Sequence, residues 1–421
     1  MFFVLCSSPN RSTTITCSAV KGGIGEKLVK EDNWNYGKLG SQERKKMKGI
    51  LHSTVSLAKT QVKAEQTTLH KVENALLVGI QQPGEDEAPL HEQLQELEAL
   101  VTTLGKSVAK RMLVRLRQPQ SRFLVGSGKA EEICEEARRQ GCEGIVFDEE
   151  LTPSQQRNWE SMSKLTVVDR QEIILSIFGQ RAKTREATLQ VALAQANYDF
   201  SRLKRHWTHL SRQRGPGGAA APGVKGEGEQ QIELDERLVQ ERINSLKKQL
   251  AEVRKQRQVQ RQRRLGNPIS LGAIVGYTNA GKSSLLNSFT DAGVSTEDKL
   301  FATLDPTIRR VVLPDKQTVL LADTVGFVRK LPHQLVEAFK ATLEEVTHAD
   351  FLIEVLDATS SQILEQHETT RSVLEELGIE DKPVITVINK IDLVEENYMI
   401  RRLQRAHPEA VLISTTTGEG L

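Results

Sequence analysis

The sequence lacks any apolar run long enough to cross a bilayer, a feat that needs about 20 consecutive apolar residues, so no membrane span is expected. It has little cysteine: Cys6, Cys17, Cys134 and Cys142 are the four in 421 residues. None forms a CxxC pair and no histidine cluster lies beside them. That spacing argues against a zinc site and for reduced thiols in a cytosolic protein. Net charge is also nearly absent. The 57 Lys and Arg against 55 Asp and Glu leave a formal +2, so partners must be judged from the local distribution of charge. Residues 1–23 contain no acidic residue, as in a transit peptide, but their only cations are Arg11 and Lys21. A disordered extension is the better reading.

The length predicts two or three structural units, and 27% charged with 38% hydrophobic residues suits a globular chain. Residues 1–65 are polar and irregular and read as a weakly ordered extension. The texture then changes. Residues 75–80 (ALLVGI) read as a buried strand, and 89–104 place Leu90, Leu94, Leu97, Val101 and Leu104 on one helical face. Short strands are predicted near 112–116 and 123–125, a helix over 129–140, and a strand over 144–147 that ends at Asp148. Pro153 opens another helix, 166–168 is a strand, and 171–181 is helical. Strands alternating with helices predict a small α/β domain with a largely parallel sheet over residues 66–185.

Residues 186–265 read as two long helices joined by a loop at 215–228 rich in Gly, Ala and Pro. In the second helix Val239, Ile243, Leu246, Leu250 and Val253 are spaced 4-3-4-3, a coiled-coil seam that predicts a long antiparallel helical hairpin. Basic residues flank the loop: Arg202, Lys204, Arg205, Arg212 and Arg214 before it, and Arg254, Lys255, Arg257, Arg261, Arg263 and Arg264 well after it. From 266 to 421 the pattern is α/β again. The fold class expected is therefore α/β, with a P-loop GTPase domain preceded by the small α/β domain and the hairpin.

The assignment of that last domain rests on contiguous motifs. Gly276-Tyr277-Thr278-Asn279-Ala280-Gly281-Lys282-Ser283 fits GxxxxGK[ST] between a predicted strand at 272–275 and a helix at 284–289. Backbone N–H groups of such a loop wrap phosphates, and the following helix N-terminus adds its dipole. Lys282 can reach the β- and γ-phosphates, and Ser283 offers a hydroxyl to Mg²⁺. Asp323-Thr324-Val325-Gly326 follows the predicted strand 318–322. Asp323 can hold the Mg²⁺ shell through water, and the Gly326 N–H can meet the γ-phosphate. Asn389-Lys390-Ile391-Asp392 follows the strand 384–388. Asp392 can accept from guanine N1–H and the 2-amino group, a donor pair adenine lacks. Ser414-Thr415-Thr416, after a strand at 410–413, would touch guanine O6. Between the phosphate loop and Asp323 lies Phe301-Ala302-Thr303-Leu304-Asp305-Pro306-Thr307, where spacing leaves both Thr303 and Thr307 as candidate Mg²⁺ ligands. The residue after Gly326 is Phe327, which cannot orient water by hydrogen bonding. Asn279 offers an amide oxygen to a monovalent cation, so K⁺-stimulated hydrolysis is expected. Two shorter echoes, Gly126-Ser127-Gly128-Lys129 and Gly105-Lys106-Ser107, lack the upstream glycine and receive no phosphate role.

From about Leu76 to Leu421 the chain resembles the HflX family of ribosome-associated GTPases. The stretches that carry the resemblance include VGSGKAE from Val125, FDEELTPSQQRN from Phe147, QRAKTRE from Gln180, GYTNAGKS, FATLDPT, and DTVGFVRKLPHQLVEAFKATLEE from Asp323. The resemblance implies Thr303 rather than Thr307 as the second Mg²⁺ ligand beside Ser283. It puts Lys282, Thr303 and Gly326 at the chemistry, and Phe301 to Asp305 among the residues around GTP. It also implies a cytoplasmic monomer, with loose membrane association as an alternative. The implied partners are GTP or GDP, the large ribosomal subunit and its rRNA, with the hairpin loop near the peptidyl-transferase region and, in some members, subunit separation under stress. The basic flanks of the loop suit rRNA phosphates. Three departures stand out. The loop carries Lys225-Gly226-Glu227-Gly228-Glu229 where Arg-Gly-Pro-Gly-Glu is common in the family. Thr415-Thr416 replaces Ala-Lys. The expected closing helix of the G domain has no sequence after Leu421. The alternative function is an RNA-binding protein whose G domain senses nucleotide with negligible turnover. A further alternative is ATP use by the N-terminal domain.

Overall fold

The computed structural model describes residues 3–8, 11–16, 72–213, 227–262, 269–290, 300–301, 303–304, 307–330, 344–379, 381–394, 401–402, 404–405 and 407–421, without the side chains at 3–16, 203–213, 227–235, 254, 256–262 and 344–345. Contacts divide the chain into two units, Met1–Gln66 and Thr67–Leu421. In the first, β1 (Phe3–Ser8) and β2 (Arg11–Thr16) pair antiparallel. Both strands lie within the segment read from sequence as a weakly ordered extension. The run Thr13-Thr14-Ile15-Thr16 is β-branched throughout, which favours a strand.

In the second unit, β3 (Asn74–Gln81) is followed by α1 (Glu87–Thr103), β4 (Ser107–Arg115), α2 (Ser127–Arg139), β5 (Gly144–Phe147), α3 (Pro153–Ser163), β6 (Thr166–Asp169) and α4 (Arg170–Arg181). The strands form one parallel sheet in the order β4-β3-β5-β6. Its central strand β3 is buried along Ala75 to Ile80, as an apolar run covered on both faces must be. The helix α3 starts where Thr152 and Gln155 form a capping box with Pro153 at the first position. The expected strand at 123–125 is not formed. Leu124 has a φ of 66°, and the segment is a turn closed by a single bridge between Gln120 and Leu124. Phe123 and Val125 are buried by packing, and the Trp159 indole N–H donates to the Phe123 carbonyl at 3.0 Å. Gly126-Ser127-Gly128-Lys129 opens α2.

Two long helices follow, α5 (Arg185–Gln213) and α6 (Glu227–Gln262). Leu193 and Ala196 on the first pack with Ile243 and Leu246 on the second, and Leu189, Phe200 and Val239 lie beside them. Leu250, on the same spacing, is also buried. Residues 214–226, which contain most of the expected glycine-rich loop, lie outside the described residues. Of the basic residues flanking it, only the side chains of Arg202 and Lys255 are described, and Arg202 does not fit the expected RNA-facing role. It stacks on the Tyr198 ring, donates to Gln156 and lies 3.6 Å from Glu172. An aromatic face and an acidic neighbour inside the fold outcompete solvent for it.

The remaining elements are β7 (Leu271–Gly276), α7 (Lys282–Phe289), β8 (Thr307–Val312), β9 (Thr318–Asp323), α8 (Glu344–His348), β10 (Phe351–Asp357), α9 (Ile363–Glu376), β11 (Val384–Asn389) and β12 (Val411–Leu412). They build a six-stranded sheet, β12-β11-β10-β7-β9-β8, parallel except for the edge strand β8. Chain order reverses about β7, so the crevice beyond the carboxyl ends of β7 and its neighbours is where a ligand belongs in such a sheet. One buried cluster joins the two sheets: Leu97, Ile174 and Phe178 pack with Val275, Phe301, Val325 and Phe327. No helix among the described residues is long and apolar enough to cross a membrane.

Candidate nucleotide site

The loop at the end of β7 has the shape its sequence requires. Gly276 has a φ of 140° and Gly281 a φ of 98°. A Cβ on Gly281 would lie 2.1 Å from Asn389 Nδ2, so only glycine allows Asn389 to approach. Asn389 is fully buried. Its amide donates to the Ala280 carbonyl at 2.9 Å and accepts the Thr415 N–H at 3.1 Å. One side chain thus ties the phosphate loop to the segment expected at guanine O6. Ser414, also buried, accepts from the N–H groups of Thr416 and Thr417 at 3.3 and 3.0 Å.

Lys390 is in the left-handed region at φ 67° and opens a short 3-10 turn, Ile391–Leu393, in which Asp392 is exposed. The Lys390 ammonium donates to Asp357 at 2.6 Å. Asp357 was not singled out from sequence. It ends β10 opposite Asn389 in parallel register, and an acidic residue at the carboxyl end of a buried strand is the signal that could have found it.

At the phosphate end Ser283, Thr303 and Asp323 converge. Ser283 Oγ donates to Asp323 Oδ2 at 2.6 Å, Thr303 Oγ1 donates to the same oxygen at 2.8 Å, and the two hydroxyls are 3.0 Å apart. Asp323 is buried, and its other oxygen, Oδ1, has no hydrogen-bond partner among the described residues. Three converging oxygen donors with an unpartnered buried carboxylate oxygen fit a hard cation such as Mg²⁺. Thr307 opens β8 opposite Asp323 in the antiparallel register, and the hydrogen bonds to the Asp323 carboxylate come from Ser283 and Thr303. Ala302 and Asp305 fall outside the described residues. Phe301 and Leu304 are buried in the core, with the Phe301 ring 4.6 Å from that of Phe178, so their side chains serve packing.

Lys282 is buried and donates to the Tyr277 carbonyl at 2.6 Å. Burial pulls its ammonium down to about 8, against the opposing pull of Asp323. Gly326 is packed closely here: a Cβ on it would lie 2.8 Å from Lys282 Nζ. Around it the phosphate loop and the DTVG segment are joined by backbone bonds. The Thr278 N–H donates to the Phe327 carbonyl at 2.7 Å and the Phe327 N–H to the Gly276 carbonyl at 3.0 Å. The Thr324 hydroxyl donates to the Ile274 carbonyl at 2.6 Å, while Val325 and Phe327 are buried. Thr278 is buried with its hydroxyl unpartnered among the described residues. Asn279 is exposed at the loop tip with a φ of 61°.

Sequence reasoning also missed a charged group beside this loop. Glu96 in α1, Asp148 after β5 and Arg170 at the start of α4 surround the Tyr277 hydroxyl and the segment Arg329-Lys330. Glu96 sits 181 residues from Tyr277, and no local pattern marks such a contact.

Residues 272–390 match a family model described as 50S ribosome-binding GTPase. Residues 91–179 match GTP-binding GTPase N-terminal, and 181–264 match GTP-binding GTPase Middle Region. A GTPase HflX of Chlamydia pneumoniae is 49% identical over 348 residues, covering 82% of this chain and 74% of that protein. The GTPase HflX of Escherichia coli K12 is 44% identical over 331 residues, covering 78% and 76%. Among solved structures, a GTP-binding protein from Sulfolobus solfataricus in complex with GDP aligns over 82% of this chain and 94% of its own at 25% identity and a TM-score of 0.43.

Proposed function

The chain belongs to the HflX family of GTPases and hydrolyses GTP, and we propose that it does so as a switch on the large ribosomal subunit. The observation that carries the hydrolytic part is the convergence of Ser283, Thr303 and Asp323 beside Lys282 and Gly326. In the proposed cycle Lys282 and the loop N–H groups bind the β- and γ-phosphates. Ser283 and Thr303 would ligate Mg²⁺, with Asp323 holding its shell. Mg²⁺ supplies charge neutralisation on the transferring phosphoryl group. The Gly326 N–H meets the γ-phosphate, and loss of that contact on hydrolysis releases the segment after it. Asp392 reads guanine, held in place by Lys390 against Asp357 and by Asn389 across to Thr415.

Phe327 leaves the attacking water without a hydrogen-bonding side chain at that position. We assign the missing help to a monovalent cation at Asn279, to the ribosome, or to both acting together. The ribosomal part is supported by the match of residues 272–390 to a 50S ribosome-binding GTPase description. The basic residues just before the loop between the long helices, Lys204, Arg205, Arg212 and Arg214, also support it, since they suit rRNA phosphates. The long helices are proposed to work as an antiparallel hairpin that carries this loop to the subunit, and the switch to act in separating or rescuing stalled ribosomes.

Co-sedimentation with purified large subunits in a non-hydrolysable GTP analogue and in GDP tests the switch. Tighter binding in the analogue is expected, and equal binding in both states would remove it.

A further inference from the structure

Tyr277 is the second residue of the phosphate loop, yet its hydroxyl is committed outside it. It donates to the Glu96 carboxylate, 3.0 Å from Oε1 and 2.9 Å from Oε2, and accepts the Arg329 backbone N–H at 2.8 Å. Glu96 is gripped by Arg170 at 2.5 Å. Arg170, which is 1% exposed, also pairs with Asp148 at 2.8 Å. Asp148 accepts the Lys330 ammonium at 3.0 Å, Lys330 reaches Glu149 at 2.7 Å, and the Arg329 guanidinium lies 3.9 Å from Glu96. Three acids and three bases form a chain of ion pairs, Arg329–Glu96–Arg170–Asp148–Lys330–Glu149, between α1, the residues after β5, α4 and the segment that follows Gly326. Burial opposes ionisation of Asp148, but Arg170 and Lys330 outweigh it and hold the carboxyl below its usual range.

This group touches the backbone at an informative place. The phosphate loop and the DTVG segment already exchange two backbone hydrogen bonds, at Gly276–Phe327 and Thr278–Phe327. The Tyr277 hydroxyl adds a third tie at Arg329, on the far side of Phe327 from Gly326. A Cβ at Gly326 would meet both Lys282 Nζ and Thr278 at 2.8 Å, so this segment lies directly against the phosphate loop. A buried hydroxyl whose donor and acceptor capacities are both used, and whose acceptor Glu96 is itself paired with Arg170, is a rigid reference point.

We infer that Tyr277 is a positioning residue for GTP hydrolysis: its hydroxyl, braced by Glu96 and Arg170, holds the segment after Gly326 in register with the phosphate loop. The inference rests on the role proposed above for the Gly326 N–H. It makes the α1–α4 face part of the catalytic apparatus without any contact to nucleotide. Any partner that shifts this face would shift turnover through the same hydroxyl.

The test compares Tyr277→Phe, Glu96→Gln and Gly326→Ala with the parent in single-turnover and steady-state GTP hydrolysis, with fluorescent GDP binding alongside. Tyr277→Phe is expected to lower kcat about tenfold, the factor one hydrogen bond of about 1.4 kcal/mol carries, with KM and GDP affinity held within about twofold. Glu96→Gln is expected to lower kcat less, and the double variant no further than Tyr277→Phe alone, because both act through one tie. Amide exchange at Arg329 should be faster in Tyr277→Phe. Unchanged or raised kcat in both single variants overturns the inference, as does a loss confined to KM or an unchanged Arg329 amide. Should Tyr277→Phe not fold, kcat of Glu96→Gln decides by the same criterion. Retained kcat in Gly326→Ala would instead defeat the underlying role of Gly326, and is thereby distinguished from failure of the tie.

Discussion

Ser283 Oγ donates to Asp323 Oδ2 at 2.6 Å, joining the start of α7 to the end of β9. Thr303 completes the group from a segment between them. Replacing Ser283 with Ala removes one proposed Mg²⁺ oxygen and leaves Asp323 with a single hydroxyl partner. The Mg²⁺ concentration needed for half-maximal GTP turnover should rise at least about tenfold. A magnesium titration of Ser283→Ala reads this directly, and an unshifted midpoint would move the metal elsewhere.

Asp392 is exposed in its short turn while Asn389 behind it is buried. In the proposed site the two divide the work: Asn389 ties the loops together and Asp392 would meet the base. Asp392→Asn should therefore weaken GTP at least about 100-fold, because an amide cannot accept from both guanine donors. Xanthosine triphosphate, which offers a carbonyl in place of the 2-amino group, should bind the variant better than the parent. Competition against fluorescent GDP measures both. Asn389→Ala, in contrast, should lower the melting temperature as well as affinity.

Lys282 carries a pH prediction whose sign follows from its environment. Burial sets its ammonium at about 8 before phosphate arrives. Bound phosphate favours the charged form and raises that value. Binding is then strongest below pH 8 and takes up a proton above it. GTP affinity should fall as pH rises through about 8, with a limiting slope near tenfold per pH unit. Isothermal titration in buffers of different ionisation enthalpy would detect the proton. Flat affinity from pH 7 to 9.5 would mean that Lys282 is charged throughout.

Asn279 is exposed at the tip of the phosphate loop in a left-handed conformation. If it ligates a monovalent cation, turnover in KCl should exceed that in NaCl at equal ionic strength by at least about fivefold, and Asn279→Ala should remove the difference. Equal rates in the two salts would leave Asn279 a bracing residue only.

Much of this site is legible in the sequence because its chemistry is local. The residues from Gly276 to Ser283 are contiguous, and the strand and helix on either side are short apolar patterns. Asp323, Asn389 and Asp392 sit at strand ends in a fixed chain order. What escaped is long-range. Glu96 reads as one of several polar positions on an amphipathic helix, and only packing brings it to Tyr277. Asp357 carries no motif of its own. Arg202 reads as one more cation in a basic run, and the Tyr198 ring and Glu172 claim it. Phe123 and Val125 flank a residue with positive φ, so alternation of apolar residues there marks a buried turn and not a strand. The family resemblance places Phe301 around the nucleotide, while its ring packs on that of Phe178.

The most direct test is GTP turnover by the purified chain with and without large ribosomal subunits, in KCl and saturating Mg²⁺. A ribosome-completed switch should turn over slowly alone and at least about tenfold faster with subunits, with RNA-free controls unchanged. Bound subunits that leave the rate unaltered would contradict it and identify a G domain that senses nucleotide without the ribosome's help in catalysis.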